Sequence, residues 1–281
     1  MSSSARRFSR LLLTALGVAT AGAAAAAERP LWELGLGVGA VSFPDYRGAD
    51  ERSTYVLPAP YVVYRGEFLK ADRDGVRGVF FESDRVELNF SAAASVPVDS
   101  DGNKARRGMP DLKPTVEFGP SLDLTLWRAP DRSAKLDFRL PVRAAYAVIG
   151  GVKRVGLVST PTLNLDLRDP LGQHGWNLGL LAGPVFGDAR QHRYFYDVAP
   201  EHATPGRETY RAKGGYGGSQ FLAALSKRYD NYWVGAFVRY DNLRGAVFDD
   251  SPLVKRDQSW AAGFAIAWII GESATRVQVN D

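Results

Sequence analysis

Between Leu136 and Val148 the chain runs Leu-Asp-Phe-Arg-Leu-Pro-Val-Arg-Ala-Ala-Tyr-Ala-Val. Leu136, Phe138, Leu140, Val142, Ala144, Tyr146 and Val148 share one face. Asp137, Arg139, Pro141, Arg143 and Ala145 share the other. Period-two alternation over this length specifies a long β-strand with one apolar and one charged face. A soluble sandwich usually makes shorter ones. A wall between lipid and a polar interior requires such a strand. A one-residue slip of register would turn Arg139 and Arg143 toward lipid, so the pairing is strongly fixed.

The same pattern recurs. Alternating segments run from Trp32 to Ala40, Val56 to Tyr64, Val86 to Val96, Val116 to Leu126, Val155 to Leu167 and Trp176 to Phe186. Three more cover Gly215 to Arg228, Tyr232 to Asp241 and Ser259 to Ile270, and a short hairpin joins Phe68–Asp72 to Val76–Glu82. The expected fold is all-β: an antiparallel up-and-down transmembrane β-barrel of about 12 strands (10–14), the even number usual in bacterial barrels. Pro58 and Pro60 lack ladder donors, so a bulge or irregular pairing is expected there. Connections near Gly66, Ser83, Ala129 to Ser133, Asp169 to His174 and Asp230-Asn231 are short. Those at Ser42 to Ser53, Pro97 to Lys113, Gly187 to Gly214 and Asn242 to Asp257 are long. Short periplasmic turns and long outer loops are the expected asymmetry. Trp127, Trp176, Tyr229, Tyr232, Trp233, Tyr240, Trp260 and Trp268 lie near strand ends, where interfacial girdles belong.

The N-terminus points to export. Arg6, Arg7 and Arg10 precede the apolar stretch Leu11 to Ala21, and Ala25-Ala26-Ala27 offers a cleavage site. The expected organisation is a signal peptide at 1–27, a barrel at 28–270 and a polar tail at 271–281, with the tail disordered or a periplasmic docking segment. Removing the three signal arginines lowers the formal charge of +4 to about +1, which gives no reason to expect nucleic acid. The chain has no cysteine, so disulfides contribute nothing. After Ala27 the longest apolar run, Ala261 to Ile270, is too short to span as a helix. Membrane insertion must then be as a closed barrel, because open sheet edges strand polar backbone in lipid.

The polar strand faces supply the candidate site: Glu87, Glu117, Asp123, Asp137, Arg139, Arg143, Asp166, Arg239 and Asp241 are expected in the lumen. Buried charges persist when paired, so a cross-linked interior is the first expectation and a selective pore the second. Only His174, His192 and His202 are available for acid–base or metal chemistry. His192 and His202 lie in one loop with Asp188 and Glu201, but the spacing matches no usual zinc motif, and they are expected at the surface. The loop from Gly187 to Gly214 contains no serine nucleophile. No catalytic residue, cofactor or metal is assigned. Gly214-Gly215-Tyr216-Gly217-Gly218 lacks the lysine and hydroxyl of a phosphate loop and fits a flexible strand entrance.

A family resemblance rests on several motifs in order. Pro44-Asp45-Tyr46-Arg47-Gly48, Pro58-Ala59-Pro60-Tyr61 and Arg107-Gly108-Met109-Pro110-Asp111-Leu112 mark the N-terminal half. Gly183-Pro184-Val185-Phe186-Gly187-Asp188-Ala189, Tyr194-Phe195-Tyr196-Asp197-Val198, Tyr210-Arg211-Ala212-Lys213-Gly214-Gly215 and Asp250-Ser251-Pro252-Leu253-Val254 mark the C-terminal half. Together they resemble the MipA/OmpV family of Gram-negative outer-membrane proteins. Gly263, Ile266 and Trp268 resemble a terminal barrel-assembly signal, although Gly271 to Asp281 continue past it. The resemblance implies a non-enzymatic barrel in outer-membrane lipid. It further implies a scaffold between a murein transglycosylase and a peptidoglycan synthase, with a narrow channel for small solutes or antibiotics and a loop-mediated adhesin as alternatives.

Overall fold

The computed structural model describes residues 27–72 and 75–279; the signal peptide expected at 1–27 falls, up to residue 26, outside the described residues, as do the hairpin tip Arg73-Asp74 and Asn280-Asp281. The strands are β1 (Ala27–Pro30), β2 (Trp32–Pro44), β3 (Arg52–Arg65), β4 (Leu69–Asp72), β5 (Gly75–Glu82), β6 (Val86–Ala94), β7 (Thr115–Arg128) and β8 (Ala134–Ala147). They continue as β9 (Lys153–Ser159), β10 (Thr162–Arg168), β11 (Trp176–Gly187), β12 (Gly215–Arg228), β13 (Tyr232–Asn242), β14 (Gln258–Glu272) and β15 (Arg276–Val279). One α-helix, α1 (Ala189–Tyr196), lies between β11 and β12.

Strands β2 to β14 form one antiparallel sheet, and β14 returns to pair with β2, which closes the barrel. Both β9 and β10 pair with β8 on one side and β11 on the other, so they are two halves of one stave and the wall has twelve. The sequence suggests one unbroken strand there. The break falls at Thr160-Pro161, where proline has no N–H for the ladder. Residues facing lipid are exposed and apolar, among them Leu36, Val56, Phe90, Phe118, Phe264 and Trp268. Their neighbours point inward, as Asp137 between Leu136 and Phe138 shows at 2 % exposure.

Two expectations are revised. Pro58 and Pro60 cause no bulge, since the β2–β3 register runs unbroken from Trp32↔Tyr64 to Pro44↔Arg52; the irregular pairing lies on the other side of β3, which meets β4 at Tyr64↔Ala71 and Arg65↔Lys70. The tail is not a loose extension beyond residue 270. β14 runs on to Glu272, and β15 pairs with β1 from Ala27↔Val279 to Pro30↔Arg276. Leu31 N–H donates to Thr275 O (2.9 Å) and Ser273 N–H to Trp32 O (2.9 Å), tying this two-stranded sheet to the short-turn end of the barrel. Each of these two strands supplies the ladder partner that the other lacks.

Candidate functional site: a capped, two-sided lumen

The principal hydrophobic core lies above the wall. All four long loops fold together over one mouth, burying Tyr46, Val98, Leu112, Tyr196, Val198, Leu243, Phe248 and Leu253. Phe248, 1 % exposed, stacks on Tyr196 at 3.7 Å between ring centroids, and His192 meets its edge at 4.6 Å. Backbone carbonyls in these loops are taken by long-range donors. Tyr46 Oη donates to Leu253 O (2.8 Å), Tyr196 Oη to Arg47 O (2.9 Å) and Ser251 Oγ to Tyr196 O (2.9 Å). Arg207 Nη1 donates to Ala105 O and Arg107 O, both at 3.0 Å. Irregular backbone is stable away from bulk water only when its polar groups are satisfied in this way.

This cap is latched into the barrel. Asp241 on β13, 1 % exposed, accepts from Arg239 Nε on the wall and Arg47 Nε on the first loop, each at 2.9 Å. Arg47 Nη1 also donates to Gly217 O (2.7 Å). Helix α1 begins where Asp188 Oδ1 accepts from Gln191 N–H (2.8 Å), an N-cap. The helix presses His192 against the glycine-rich entrance of β12. A Cβ on Gly217 would stand 3.0 Å from His192 Nε2, so glycine is what permits the approach. His192 is therefore buried rather than at the surface, as an exposed-loop reading would have it. Burial lowers its pKa below the usual imidazole value. A bond between Nδ1 and Lys213 O (2.7 Å) works against that shift, and the Arg47 charge adds to it. Among the described residues no three His, Asp or Glu side chains converge as a metal site.

Below the cap, the lumen has two chemically different halves. On β4 to β10, ion pairs and hydrogen bonds run from stave to stave. Arg77 bridges Asp72 (2.8 Å) and Glu87 (3.0 Å), and Asn89 Nδ2 joins Glu87 (2.9 Å) to Asp123 (3.1 Å). Arg139 lies 4.0 Å from Asp123, 3.7 Å from Asp137 and 3.9 Å from Asp166. Asp137 also receives Lys135 Nζ (2.8 Å) and Thr125 Oγ1 (2.9 Å). Nearer the cap, Arg143 pairs with Glu117 (3.3 Å) and donates to Thr160 Oγ1 (3.3 Å). Of the nine residues singled out in the sequence, Glu87, Asp123, Asp137, Arg139 and Asp166 thus meet in one network. Glu117 and Arg143 form a separate pair, and Arg239 and Asp241 belong to the latch. A cavity of about 300 Å³ follows this half, from Glu82, Asp84 and Arg128 at the short-turn end to Arg143 and Gln220 under the cap.

The other half, on β13, β14, β2 and β3, is apolar between the latch above and a charged floor below. Trp233 and Phe237 share the inward parity of Arg239 and Asp241 on β13, and Ala261, Ala265 and Ala267 hold the inward positions of β14. Trp233 is therefore not part of a girdle. It reaches over Gly37 and Gly35 to Tyr61, with ring centroids 6.0 Å apart. This half is floored by residues the sequence analysis did not select. Glu33, 2 % exposed, bonds Arg65 (2.8 Å) and Arg228 (2.9 Å), and Arg228 reaches Glu272 (3.5 Å). The available signal is that Glu33 is the sole charge between Trp32 and Pro44.

The family model described as "MltA-interacting protein MipA" matches residues 36–270. Outer membrane protein OmpV of Vibrio cholerae is 24 % identical over 213 residues, covering 73 % of this chain and 75 % of that protein. Outer membrane protein Omp26La of Vibrio anguillarum is 23 % identical over the same shares. Among solved structures, the Ralstonia pickettii toluene transporter TbuX aligns with a TM-score of 0.34 at 12 % identity, covering 86 % of this chain and 89 % of that one. A bacterial polysaccharide outer membrane secretin aligns with a TM-score of 0.40 at 8 % identity, covering 85 % and 99 %. With its closed twelve-stave wall and a family match spanning nearly the whole barrel, this chain is an outer-membrane β-barrel and belongs to the MipA family.

Proposed function

We propose that this barrel works as a periplasmic docking scaffold, with a murein transglycosylase, and through it a peptidoglycan synthase, as the partner class. The observation that carries the reading is the β1–β15 sheet at the short-turn end. It adds an ordered surface with two free strand edges where turns alone would offer little, and it exposes Glu28, Arg29, Arg276 and Gln278. A stable interface needs about 800 Å² per partner, so sheet and turns must act together. The family description, MltA-interacting, points to the same partner class. In the cap, His192 serves packing: its Nδ1 is bonded to a backbone carbonyl and its ring is packed against Phe248. The test is mild crosslinking and pull-down from cell envelopes. The full chain should recover a peptidoglycan enzyme, and a chain ending at Glu272 should lose it while keeping the heat-modifiable mobility of a folded barrel. Equal recovery by both chains refutes the assignment.

A narrow conduit is the second reading, favoured by the continuous polar half of the lumen. The packed cap holds it closed, so planar-bilayer recordings of the intact chain should be silent until the latch is broken.

A further inference from the structure

The wall is incomplete on one side. Arg65 N–H donates to Leu31 O (2.8 Å), which puts the odd-numbered N–H and C=O groups of β3 on the β2 side. Because that register never shifts, the backbone groups of Thr54, Val56, Pro58, Pro60 and Val62 point away from β2. Among the described residues, β3 pairs on that side through Tyr64↔Ala71 and Arg65↔Lys70, and Asp72↔Gly75 turns β4 back into β5. Among the described residues β6, beyond the hairpin, meets β5 from Glu87 to Ser91, whereas it meets β7 from Val86 to Ala94. The cap closes the top: Asn103 Nδ2 donates to Asp45 Oδ2 (2.8 Å) and Lys104 N–H to Glu51 Oε2 (2.6 Å). The result is a window framed by β3, the β4–β5 hairpin, β6 and the cap.

Its chemistry is specific. Pro58 and Pro60 sit where an N–H would otherwise face hydrocarbon without a partner, so two of the five donors on this edge never exist. An edge with missing donors is also a poor template for an added strand. β3 is apolar on both faces here: Val56, Pro58, Pro60 and Val62 outward, Tyr55, Leu57, Ala59 and Tyr61 inward. Leu57 is 48 % exposed although it points into the barrel. The lumenal cavity touches Val76 at the hairpin and Ala92 on β6, both outward-facing, so it reaches the window. Non-ladder backbone at membrane depth is tolerated where it borders a wet cavity, and this cavity is polar on its far side.

We propose that the window is a lateral portal that admits the hydrocarbon chain of a single-chain amphiphile, a fatty acid in the bilayer, while its head group lies in the polar half of the lumen. The absence of cysteine makes the test direct. Bimane is attached to Leu57→Cys, to Val56→Cys as a lipid-facing reference, and to Leu181→Cys. Leu181 lines the same cavity on β11, which is paired on both sides. Each protein, checked for heat-modifiable mobility, is reconstituted in phosphatidylcholine vesicles and titrated with doxyl-stearic acid. The portal predicts quenching at Leu57 within about twofold of Val56 and at least about fivefold above Leu181. It also predicts saturation and relief by unlabelled oleate. Leu57 quenching equal to that at Leu181 overturns the portal, as does quenching that rises linearly without competition. An inter-chain disulfide in Val62→Cys accompanied by protection of Leu57 also overturns it, because a second copy then covers the edge.

Discussion

Replacing Phe248 by alanine separates the cap from the wall. Phe248 is 1 % exposed, and its ring is held between Tyr196 and His192. A buried Phe→Ala change removes about 3–5 kcal/mol. The face-to-face partner places this site near the middle of that range, about 4 kcal/mol, and the whole loss falls on loops that touch one another. Each 1.4 kcal/mol is a factor of ten in an equilibrium, so the open cap should become roughly 10³-fold more populated. Trypsin reports this population when opening is fast relative to cleavage, and the loop carries Arg190, Arg193, Arg207, Arg211 and Lys213. Cleavage between β11 and β12 should accelerate by about that factor, while the heat-modifiable mobility of the barrel stays unchanged. Phe264→Ala, on the lipid face at 64 % exposure, should leave the loop cleavage rate alone. Unchanged cleavage in Phe248→Ala, or loss of the folded wall together with the cap, would refute the view that the loops form a separately cooperative unit.

Three further outcomes are expected. Arg47→Ala removes two hydrogen bonds from the latch, roughly 2 kcal/mol after allowing for the partial exposure of Arg47, and should produce gating events in a planar bilayer where the wild type is silent. His192 is neutral in the folded cap with a lowered pKa, so the unfolded cap takes up the proton first. Cap stability is therefore complete above about pH 6.5 and falls as pH drops below it. Loop proteolysis should accelerate between pH 7 and 5, and His192→Asn should flatten that dependence. Gly37→Ala would place a Cβ 1.9 Å from Ile266 O, a backbone atom that cannot swing aside. It should cost about 3 kcal/mol or more where β2 meets β14, read as a lower urea midpoint for the barrel.

Most of the wall was legible because alternation is a local signal. Leu136 to Val148 differs from β8 by two residues at its start and one at its end, and the short turns fall where the sequence places them. What was not legible depends on contacts distant in the chain. Tyr46, Arg47, Tyr196 and Leu253 stand in the motifs that carry the family resemblance, yet only folding reveals that they hold one another. A signal was present: Tyr194-Phe195-Tyr196, Leu243, Phe248 and Leu253 are too apolar for solvated loops. The apolar half of the lumen was visible as alternation that fails, in the all-apolar stretch of β14 and on both faces of β3. Pro58 and Pro60 are awkward in a local pattern, and what accommodates them, an edge of β3 beyond the reach of β4, is set by the turn of β4 into β5 at Asp72↔Gly75.

Because the first and last staves of the wall are neighbours, the molecule carries its own record of having been finished. Glu33 on β2 holds Arg65 beside it and Arg228 from β12, and Glu272 joins from the end of β14. This cluster straddles the β14–β2 seam, the pairing with the greatest sequence separation in the wall. Its closure is accordingly the entropically costliest pairing in the wall. A partly assembled sheet can make its hairpins, its turns, much of its polar lumen and the Glu33–Arg65 pair, but a sheet open at this seam lacks the Arg228 and Glu272 contacts that complete the cluster. Protection of the Glu33 region in pulse labelling would therefore date the moment of closure during biogenesis. A partner that recognises the β1–β15 sheet would bind only completed barrels.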